Sequence, residues 1–395
     1  MEYDIAIIGA GTSGLSFAKS LEDTGLKTVI IEKQSEAQLR DPAYDGREFA
    51  ITHLSHKILN NLDIWNRINP DAISLIKNAK VLNGDSDYAL HFSHTESGED
   101  NLGFMTSNHL IRKASYEAVK QAEQTDIITE TEVIDIETNN KEGILTLSNG
   151  KTITAQLIVA ADSRFSKTRD MMNIPTEKLN FKRTCVVCKM DYEGEEQDTA
   201  MECFHYGRTL AVLPLTNKRC SVVMTIDTDK AYEILDATPE DLAADIEKRI
   251  EGHLGKMTLT TELFSYPLMG IYAKKFYAKR YALLGDTAVG MHPVTAHGFN
   301  MGLRGAHVLA EEIKNSQTQG LDYSSLTILD SYHQKHRRFT RPLYLGTNAL
   351  VKLYTNESPP AKILRHGLLK LGNRLKPAKH IITNLLTETD NNKVA

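Results

Sequence analysis

Apolar and polar positions along the N-terminal stretch describe a strand, a helix and a second strand. Residues 5–8 form an uninterrupted apolar run, and apolar residues then recur at helical spacing over residues 12–21. A second apolar run follows at residues 28–31. Short apolar runs are typical of buried strands, whereas apolar spacings of three and four are typical of an amphipathic helix. The pattern therefore predicts a βαβ unit at the start of the chain.

Three glycines, Gly9, Gly11 and Gly14, stand in GxGxxG spacing between the first strand and the helix. In this context the first glycine allows a tight turn, the second lets the backbone approach a pyrophosphate, and the third lets helix and strand pack closely. Glu32 and Lys33 follow the second strand. A carboxylate there accepts hydrogen bonds from an adenosine ribose and repels a 2′-phosphate. The unit predicts a dinucleotide site that takes FAD or NAD and disfavours NADP.

Two further apolar runs end in acids. Residues 157–161 lead into Asp162, and residues 281–284 lead through a glycine into Asp286. Strand ends of this kind gather at the carboxyl edge of a parallel sheet, where ligands bind. Each could be an ordinary turn on its own. Together with the glycine loop they predict one long ligand lying across that edge.

A helix that carries glycines in its first turns is predicted from Gly298 onward, with Gly302 and Gly305 on it and Phe299 and Asn300 beside its start. Each helical glycine costs about 1 kcal/mol relative to alanine. Close approach of a flavin ring would compensate, since the helix N-terminus offsets negative charge at the pyrimidine end of a reduced ring. The alternative is close packing of helix on sheet.

Two polar residues near the predicted nucleotide site have both a structural and a functional interpretation. Arg47 ends a turn-rich loop at residues 41–47, before a helix predicted over residues 53–65. It is either a solvated cation or a contact for the pyrophosphate or an incoming nicotinamide cofactor. Asn108 heads a helical stretch through residue 119. Helix capping alone would explain an asparagine there.

A block richer in strands lies between these segments and predicts a second sheet that covers the flavin face, a natural place for a substrate pocket. His205 and Tyr206 would line such a pocket, although aromatic residues on strands more often belong to the core. The predicted strands are Phe181–Asp191, Met201–Tyr206, Thr209–Pro214, Cys220–Ile226 and Leu259–Pro267, with a helix over Pro239–His253.

Composition excludes several classes of protein. The chain has 395 residues and a formal charge of −5, which argues against a general nucleic-acid binder. No signal peptide and no run of about 18 apolar residues is evident, and four cysteines fit a reducing cytoplasm. Cys185 and Cys188 form a CxxC, but their odd spacing places them on opposite faces of a strand. We therefore expect no metal site.

The C-terminal segment is basic and amphipathic. Apolar residues recur at helical spacing over residues 343–353 and 363–375, among lysines and arginines. Such a tail suits an anionic membrane surface, so the protein is expected in the cytoplasm, with peripheral contact to the inner face of its membrane. The alternative is that these helices pack on the nucleotide domain with their basic residues solvated.

These residues carry a resemblance to a known family. The glycine loop, the Asp162 segment and the Gly285-Asp286 segment resemble the three motifs of single-component FAD-dependent aromatic hydroxylases with the p-hydroxybenzoate hydroxylase fold. DGREFAITHLSHKILNNLDIW, ADSRFSKTR and LLGDTAVGMHPVTAHGFNMGLRGA are similar to the ubiquinone-biosynthesis hydroxylases of the UbiH/UbiF/UbiI/UbiM group, most of all to the UbiM branch. The sequence departs at Ser163, where a glycine is usual, at His297, where a glutamine is common, and at Val289-Gly290, in place of a frequent Ala-His.

The resemblance implies an α/β fold, in which a Rossmann-type FAD-binding domain with a mainly parallel sheet carries an inserted antiparallel-sheet substrate domain and a C-terminal helical segment. The FAD-binding domain would comprise residues 1–75, 105–178 and 275–340. The substrate domain would comprise residues 76–104 and 179–274, and the C-terminal helices residues 341–395. The implied FAD-binding residues are Gly9, Gly11, Gly14, Glu32, Lys33, Arg47, Asn108, Asp162, Asp286, Gly298, Phe299 and Asn300.

The implied activity is hydroxylation of the aromatic ring of a polyprenylphenol-type intermediate in ubiquinone biosynthesis. NAD(P)H would bind transiently and reduce the FAD, and the reduced flavin would take up O2 as a C4a-hydroperoxyflavin that the phenol ring attacks. His205 and His292 are candidates for a base that ionises the phenol. The partners would be a lipid-like phenol, O2, a membrane surface and a ubiquinone-biosynthesis protein complex.

The alternatives are a hydroxylase of a soluble aromatic or polyketide, a prenyl-lipid reductase, and a non-catalytic flavoprotein subunit. The sequence leaves open the ring position, the number of positions served, NADH against NADPH, and the oligomeric state.

Overall fold

The architecture comes from a computed structural model, which describes residues 1–83, 90–205, 207–355, 358 and 387–388. In these ranges the strands are β1 Glu2–Ile8, β2 Thr28–Ile31, β3 Glu48–Ile51, β4 Ser74–Ile76, β5 Asn78–Asn83, β6 Leu90–Ser93, β7 Gly103–Ser107, β8 Thr125–Ile128, β9 Val133–Thr138, β10 Gly143–Leu147, β11 Thr152–Ala160, β12 Thr176–Tyr192, β13 Thr199–His205, β14 Arg208–Leu215, β15 Arg219–Asp227, β16 Met257–Leu259, β17 Phe264–Ala273, β18 Tyr277–Ala278, β19 Tyr281–Leu283 and β20 Val289–Gly290.

Helices connect and cover these strands. The α-helices of the same ranges are α1 Thr12–Ser20, α2 Glu36–Arg40, α3 His53–Asn61, α4 His94–Ser97, α5 Asn108–Lys120, α6 Lys167–Met171, α7 Tyr232–Leu235, α8 Pro239–Arg249, α9 Gly298–Thr318 and α10 Leu326–Thr355. Short 3₁₀ turns lie at Glu22–Thr24, Trp65–Arg67, Pro70–Ala72, Thr228–Lys230, Gly285–Thr287 and Pro293–Thr295.

The predicted βαβ unit forms the centre of the first sheet. Its strand order is β18-β19-β11-β1-β2-β8, with β10 and β9 continuing from β11. Strand β1 runs parallel to β2 and β11, and β11 runs parallel to β19. The carboxyl halves of these strands are apolar and buried, as is typical of strands with both faces covered. The carboxyl ends of β1, β11 and β19 are therefore neighbours, as the sequence predicted.

The second sheet has the order β20-β17-β12-β15-β14-β13-β5-β6, with β16 on β12. Its pairs are antiparallel except for β13 with β5. Helix α8 packs on one face, where Cys188 is buried with Ile246, while Cys185 lies on the other face with Val187 and Leu268. The predicted opposite placement of the two cysteines is confirmed, as is the α/β fold with an inserted, mainly antiparallel sheet.

Some predicted element bounds were wrong. The run Leu259–Pro267 is not one strand, since a polar turn at residues 260–263 separates β16 from β17. Helix α3 ends at Asn61 rather than continuing to Trp65, because Asp63 has a positive φ of 55°. Helix α8 ends at Arg249 for the same reason, with Glu251 at a φ of 55°.

Two predicted domain boundaries fall inside single elements. The boundary at residue 340 lies within α10, which continues through Pro342, and the boundary at residue 178 lies within β12. Strand β20 pairs with β17 and so joins the second sheet, although its residues were expected in the FAD-binding domain. The helix predicted over residues 363–375 lies outside the described residues.

Within the described ranges, none of the helices combines the length and the apolar character that crossing a membrane requires. Across the same part of the chain, no group of three or more His, Cys, Asp or Glu side chains is arranged to hold a metal ion.

Candidate active site

The glycine loop and the Asp162 segment touch at the carboxyl edge of the first sheet. Gly9 has a φ of +104°, and a Cβ there would lie 2.6 Å from the carbonyl oxygen of Ala161. A Cβ on Gly14 would lie 2.1 Å from the Gly9 carbonyl oxygen. Both glycines are therefore required by close packing of strand, turn and helix. This is the geometry that the fingerprint predicts.

Two other glycines at this edge face open space. A Cβ added at Gly11 or at Gly298 would meet no atom within 4 Å. Gly11 is the N-cap of α1 and His297 is the N-cap of α9, and neither helix start has a side-chain cap. The first N–H groups of both helices are thus left without a side-chain acceptor. Two such helix starts fit a ligand with a phosphate at one end and a polar ring at the other.

Glu32 connects the end of β2 to the glycine loop. Its carboxylate is buried and accepts hydrogen bonds from the backbone N–H groups of Ala10, at 2.7 Å, and Gln34, at 2.9 Å. A carboxylate oxygen has more than one lone pair, so both oxygens retain acceptor capacity for ribose hydroxyls. Lys33, the next residue, is exposed.

Arg47 and Asn108 both donate hydrogen bonds to Asp45, a residue that was not predicted from the sequence. The Oδ2 of Asp45 accepts from Arg47 Nη2 at 2.5 Å and from Asn108 Nδ2 at 2.7 Å. Burial acts to raise the pKa of Asp45, but the hydrogen bond and charge of Arg47 bring that pKa below its usual value. Asn108 is not a cap, since the N-cap of α5 is Ser107. Its amide instead positions the acid that holds Arg47.

Arg112 is a further cation at this site. Its Nη2 donates to Gln34 Oε1 at 2.6 Å, and burial, with a smaller contribution from Arg47, lowers its pKa. It lies four residues after Asn108, so both side chains share one face of α5. Its spacing of four from Asn108 is the sequence signal from which Arg112 could have been predicted.

The Asp162 and Asp286 segments are joined by an arginine. Arg164 donates from Nε, at 3.0 Å, and from Nη2, at 2.7 Å, to the Oδ2 of Asp286. Asp162 accepts from Thr168 Oγ1 at 2.9 Å and from Thr287 Oγ1 at 3.3 Å. These bonds hold the two acids beside each other at the sheet edge, where ribityl and pyrophosphate groups of a dinucleotide would lie.

Hydrogen bonds and a ring stack connect the start of α9 to the segment that precedes α3. Asn300 accepts from the Thr52 N–H at 3.1 Å and donates to the carbonyl oxygen of Ala50 at 2.8 Å. Phe299 stacks on Phe49 with ring centroids 4.9 Å apart. The side chain of Asn300 is thus occupied by protein, which leaves its backbone as the group that faces a ligand.

Two of the three helix glycines are explained by packing. A Cβ on Gly302 would lie 2.7 Å from Ser13 Oγ of α1, and a Cβ on Gly305 would lie 2.9 Å from His336 Nε2 of α10. For these two positions the alternative of close packing is the better interpretation. Only Gly298 faces the open region where a flavin ring was expected.

The two candidate histidines differ in what the structure shows of them. His205 ends β13, and its side chain lies outside the described residues. His292 is buried, and burial, with a smaller contribution from Arg183, lowers its pKa to about 4. Its Nδ1 accepts from the Val294 N–H at 3.2 Å, so Nε2 carries the proton. The geometry favours a neutral hydrogen-bond donor over the base that the sequence suggested.

Fold and site together define an FAD-binding protein with an inserted substrate domain. A model of the family described as FAD binding domain matches residues 2–344. Ubiquinone hydroxylase UbiM of Neisseria meningitidis is 47% identical over 98% of this chain and 85% of that protein. The chain belongs to the ubiquinone hydroxylase family of FAD-dependent monooxygenases, as its motifs predicted.

A second relative and a solved structure agree with this placement. Ubiquinone hydroxylase UbiL of Rhodospirillum rubrum is 29% identical over 96% of this chain and 88% of that protein. The crystal structure of p-nitrophenol 4-monooxygenase PnpA from Pseudomonas putida superposes with a TM-score of 0.76 at 15% identity, covering 100% of this chain and 98% of that one. The latter likeness concerns the fold alone.

Proposed function

We propose that this protein is an FAD- and NAD(P)H-dependent monooxygenase that hydroxylates the aromatic ring of a polyprenylphenol-type intermediate in ubiquinone biosynthesis. The observation that carries the proposal is its 47% identity to ubiquinone hydroxylase UbiM over 98% of the chain. The open helix starts at Gly11 and Gly298 and the buried acceptor Glu32 are the parts of the site that fit FAD.

Each end of the cofactor has its own set of residues. The glycine loop of Gly9, Gly11 and Gly14 and the start of α1 would hold the pyrophosphate, and Glu32 the adenosine ribose. Asp162 and Asp286 would bind the central part of the ligand. The remaining proposed contacts, some through backbone groups, are Lys33, Arg47, Asn108, Gly298, Phe299 and Asn300.

Bound FAD supplies the redox chemistry, taking hydride from NAD(P)H and activating O2 for transfer to an electron-rich ring. The chain's own task is to place that ring, exclude water and manage the phenol proton. We assign the placing of the ring to the substrate domain, residues 76–104 and 179–274. Arg47 is exposed beside Tyr266 and is our candidate contact for the transient reductant.

The lipid-like substrate also bears on location. A phenol with a polyprenyl tail resides in a membrane, so we propose peripheral contact with the inner face of the cytoplasmic membrane through the basic C-terminal segment. We also propose contact with other proteins of ubiquinone biosynthesis. Binding to vesicles with and without anionic lipid, for the full chain and for a variant lacking residues 356–395, tests the membrane contact.

The decisive experiment measures O2 uptake by FAD-loaded protein with NADH or NADPH, with and without a short-chain polyprenylphenol, and the mass of the product. We expect uptake stimulated by the phenol and a product one oxygen heavier. Hydroxylation of phenols lacking the prenyl tail, but not of the prenylated one, would favour a soluble aromatic substrate. Flavin reduction without oxygen insertion would favour a reductase, and no reduction at all a non-catalytic flavoprotein.

A further inference from the structure

One face of the second sheet is turned away from α8. Along β13, Met201 and Cys203 are buried in the core that α8 covers. Side chains alternate along a strand, so Glu202 and Phe204 lie on the opposite face, which we name the pocket face. The ring of Phe204 on this face lies 3.9 Å, centroid to centroid, from Tyr354 of α10.

A small cavity lies between the pocket face, the segment that precedes α9, and the end of α10. This segment runs from Asp286 to Gly298 and so connects two parts of the proposed flavin site. The cavity is therefore next to the place where we expect the flavin ring. Its lining residues are Phe204, Thr209, Thr225, His292, Val294, Val351 and Tyr354.

His292 presents an unused donor to this cavity. The ring is buried, at 4% exposure, and its Nδ1 is occupied by the Val294 N–H. Within the described residues, its Nε2 has no hydrogen-bond partner. A buried polar group without a partner destabilises the protein, and a ligand that accepts the bond would remove that penalty. An oxygen atom of a bound molecule is the partner that this N–H fits.

Glu202 lies beside a residue that lines the cavity. It pairs across the strands with Ala211, and Phe204 pairs with Thr209. Glu202 is thus a diagonal neighbour of Thr209, with backbones roughly 7–8 Å apart, within reach of a long side chain. It makes no hydrogen bond or ion pair with the described residues that would explain its position.

The surroundings of Glu202 hold it close to neutrality. It is half-buried, and burial alone raises the pKa of its carboxyl to about 8. The titratable group on the same face of the sheet, the Cys185 thiol, has a pKa raised by burial to about 12 and stays uncharged. A carboxyl that titrates near working pH can accept a proton and return it.

From this arrangement we propose that Glu202 is the proton acceptor for the phenol hydroxyl and that His292 Nε2–H donates to the same oxygen or its phenolate. This assignment rests on the proposed function. The phenol O–H bond breaks, the proton moves to a carboxylate oxygen of Glu202, and the electron pair left on the phenol oxygen makes the ring a stronger nucleophile. After the flavin-activated O2 has supplied an oxygen atom to the ring, the hydroxylated carbon loses its hydrogen as a proton to water. The ring oxygen then takes its proton back from Glu202.

Binding to FAD-loaded protein tests the site without turnover. Calorimetric titration compares a short-chain polyprenylphenol with the matching polyprenylbenzene, which has no oxygen atom to accept a hydrogen bond. We expect the wild type to prefer the phenol about tenfold and His292→Phe to lose most of that preference, since one hydrogen bond to a buried group is worth about 1.5 kcal/mol. Equal preference in the wild type and in His292→Phe overturns the donor role.

Kinetics separate the acceptor from a residue of merely structural importance. Glu202→Gln should lower kcat for hydroxylation about 100-fold with KM changed less than threefold, and leave FAD content unchanged. Glu202→Asp, which keeps a carboxylate, should recover part of the rate, and Glu240→Gln on the exposed start of α8 should match the wild type. Unchanged kcat in Glu202→Gln overturns the acceptor role. A wild type that binds the phenol but makes no hydroxylated product defeats the proposed function instead.

Discussion

Ser163 has a backbone conformation that suits glycine better than serine. Its φ is +83°, in the left-handed region where a Cβ is strained by about 1 kcal/mol or more. The residue follows Asp162, at the position where related motifs carry glycine. Serine therefore replaces the usual glycine without changing the turn, because the backbone keeps a glycine-like conformation.

Ser163→Gly should raise the free energy of unfolding by about 1 kcal/mol, since it removes this strain. Chemical denaturation of the FAD-loaded protein measures the change. Ser163→Ala is the matched control, because it removes the hydroxyl but keeps the Cβ, and we expect it to give no gain. Equal stabilisation by alanine and glycine would show that the hydroxyl, not the backbone conformation, is unfavourable.

Glu202 couples stability to pH. Its folded-state pKa of about 8 is above its ordinary value of 4.5, so the unfolded chain ionises this carboxyl at lower pH than the folded protein does. Stability from Glu202 is complete below about pH 4.5 and is lost as pH rises to about 8. Glu202→Gln should therefore stabilise the protein by up to about 3 kcal/mol at pH 7 and by little at pH 4.

Thermal unfolding between pH 4 and pH 8 measures this difference, with Glu240→Gln as an exposed control. A stabilisation that grows toward low pH would contradict the sign argued for Glu202. A gain in stability together with a loss of hydroxylation would instead be the trade-off typical of a buried functional acid.

At the level of single residues, the sequence located the groups that local pattern defines. Gly9, Gly14 and Glu32 are fixed by the βαβ unit, whose spacing alone dictates their geometry. Glu202 was missed because an acid in an apolar strand gives no periodic signal. Which face it lies on, and what is opposite, depends on strand pairing between residues far apart in sequence.

At the level of elements, some helix glycines are required by close packing and others have open space around them. A Cβ on Gly14 would be 2.1 Å from a backbone oxygen that cannot move without breaking the turn, whereas a Cβ on Gly346 in α10 would meet nothing within 4 Å. Gly14→Ala should cost about 2–4 kcal/mol in unfolding free energy of the FAD-free protein. Gly346→Ala should instead gain up to about 1 kcal/mol from helix propensity. A similar effect of both substitutions in urea unfolding would refute the packing account of Gly14.

Element types were predictable where apolar periodicity was long, as in α9 and in the strands of the first sheet. The residues at which helices and strands end were less predictable. Helix α3 and helix α8 end at residues with positive φ that are not glycine, Asp63 and Glu251, so no glycine marked the stop. The turn between β16 and β17 was also hidden, since threonines there suit strands as well as turns.

For the whole molecule, the order of strands in two interleaved sheets was beyond the sequence. Strand β20 joins the second sheet from within the nucleotide-binding segment, and α10 crosses the expected C-terminal boundary. Both follow from long-range contacts that no local pattern records. Such contacts also join the second sheet to a three-stranded sheet of order β3-β7-β4, and a buried ion pair lies between these two sheets.

Lys189 of β12, in the second sheet, and Glu48 of β3, in the three-stranded sheet, form this pair. Their charged atoms are 2.8 Å apart with both side chains largely buried, and Ser107 Oγ donates to both carboxylate oxygens of Glu48. Burial raises the pKa of Glu48 even though Lys189 acts to lower it. The carboxylate therefore depends on Lys189 for much of the compensation for its burial.

Lys189→Met should destabilise the protein by about 3–5 kcal/mol at pH 8, because it leaves a buried charge without its partner. The cost should be smaller at pH 5 than at pH 8, because burial raises the pKa of Glu48 and the loss of Lys189 removes the charge that acts to lower it. Adding Glu48→Gln should restore most of the loss, since the double variant buries no charge. Urea unfolding at both pH values measures these differences, with Lys77→Met, at an exposed pair with Asp198, as a control expected to have little effect. If the double variant is as unstable as Lys189→Met alone, the aliphatic packing of Lys189, rather than its charge, connects the second sheet to the three-stranded sheet.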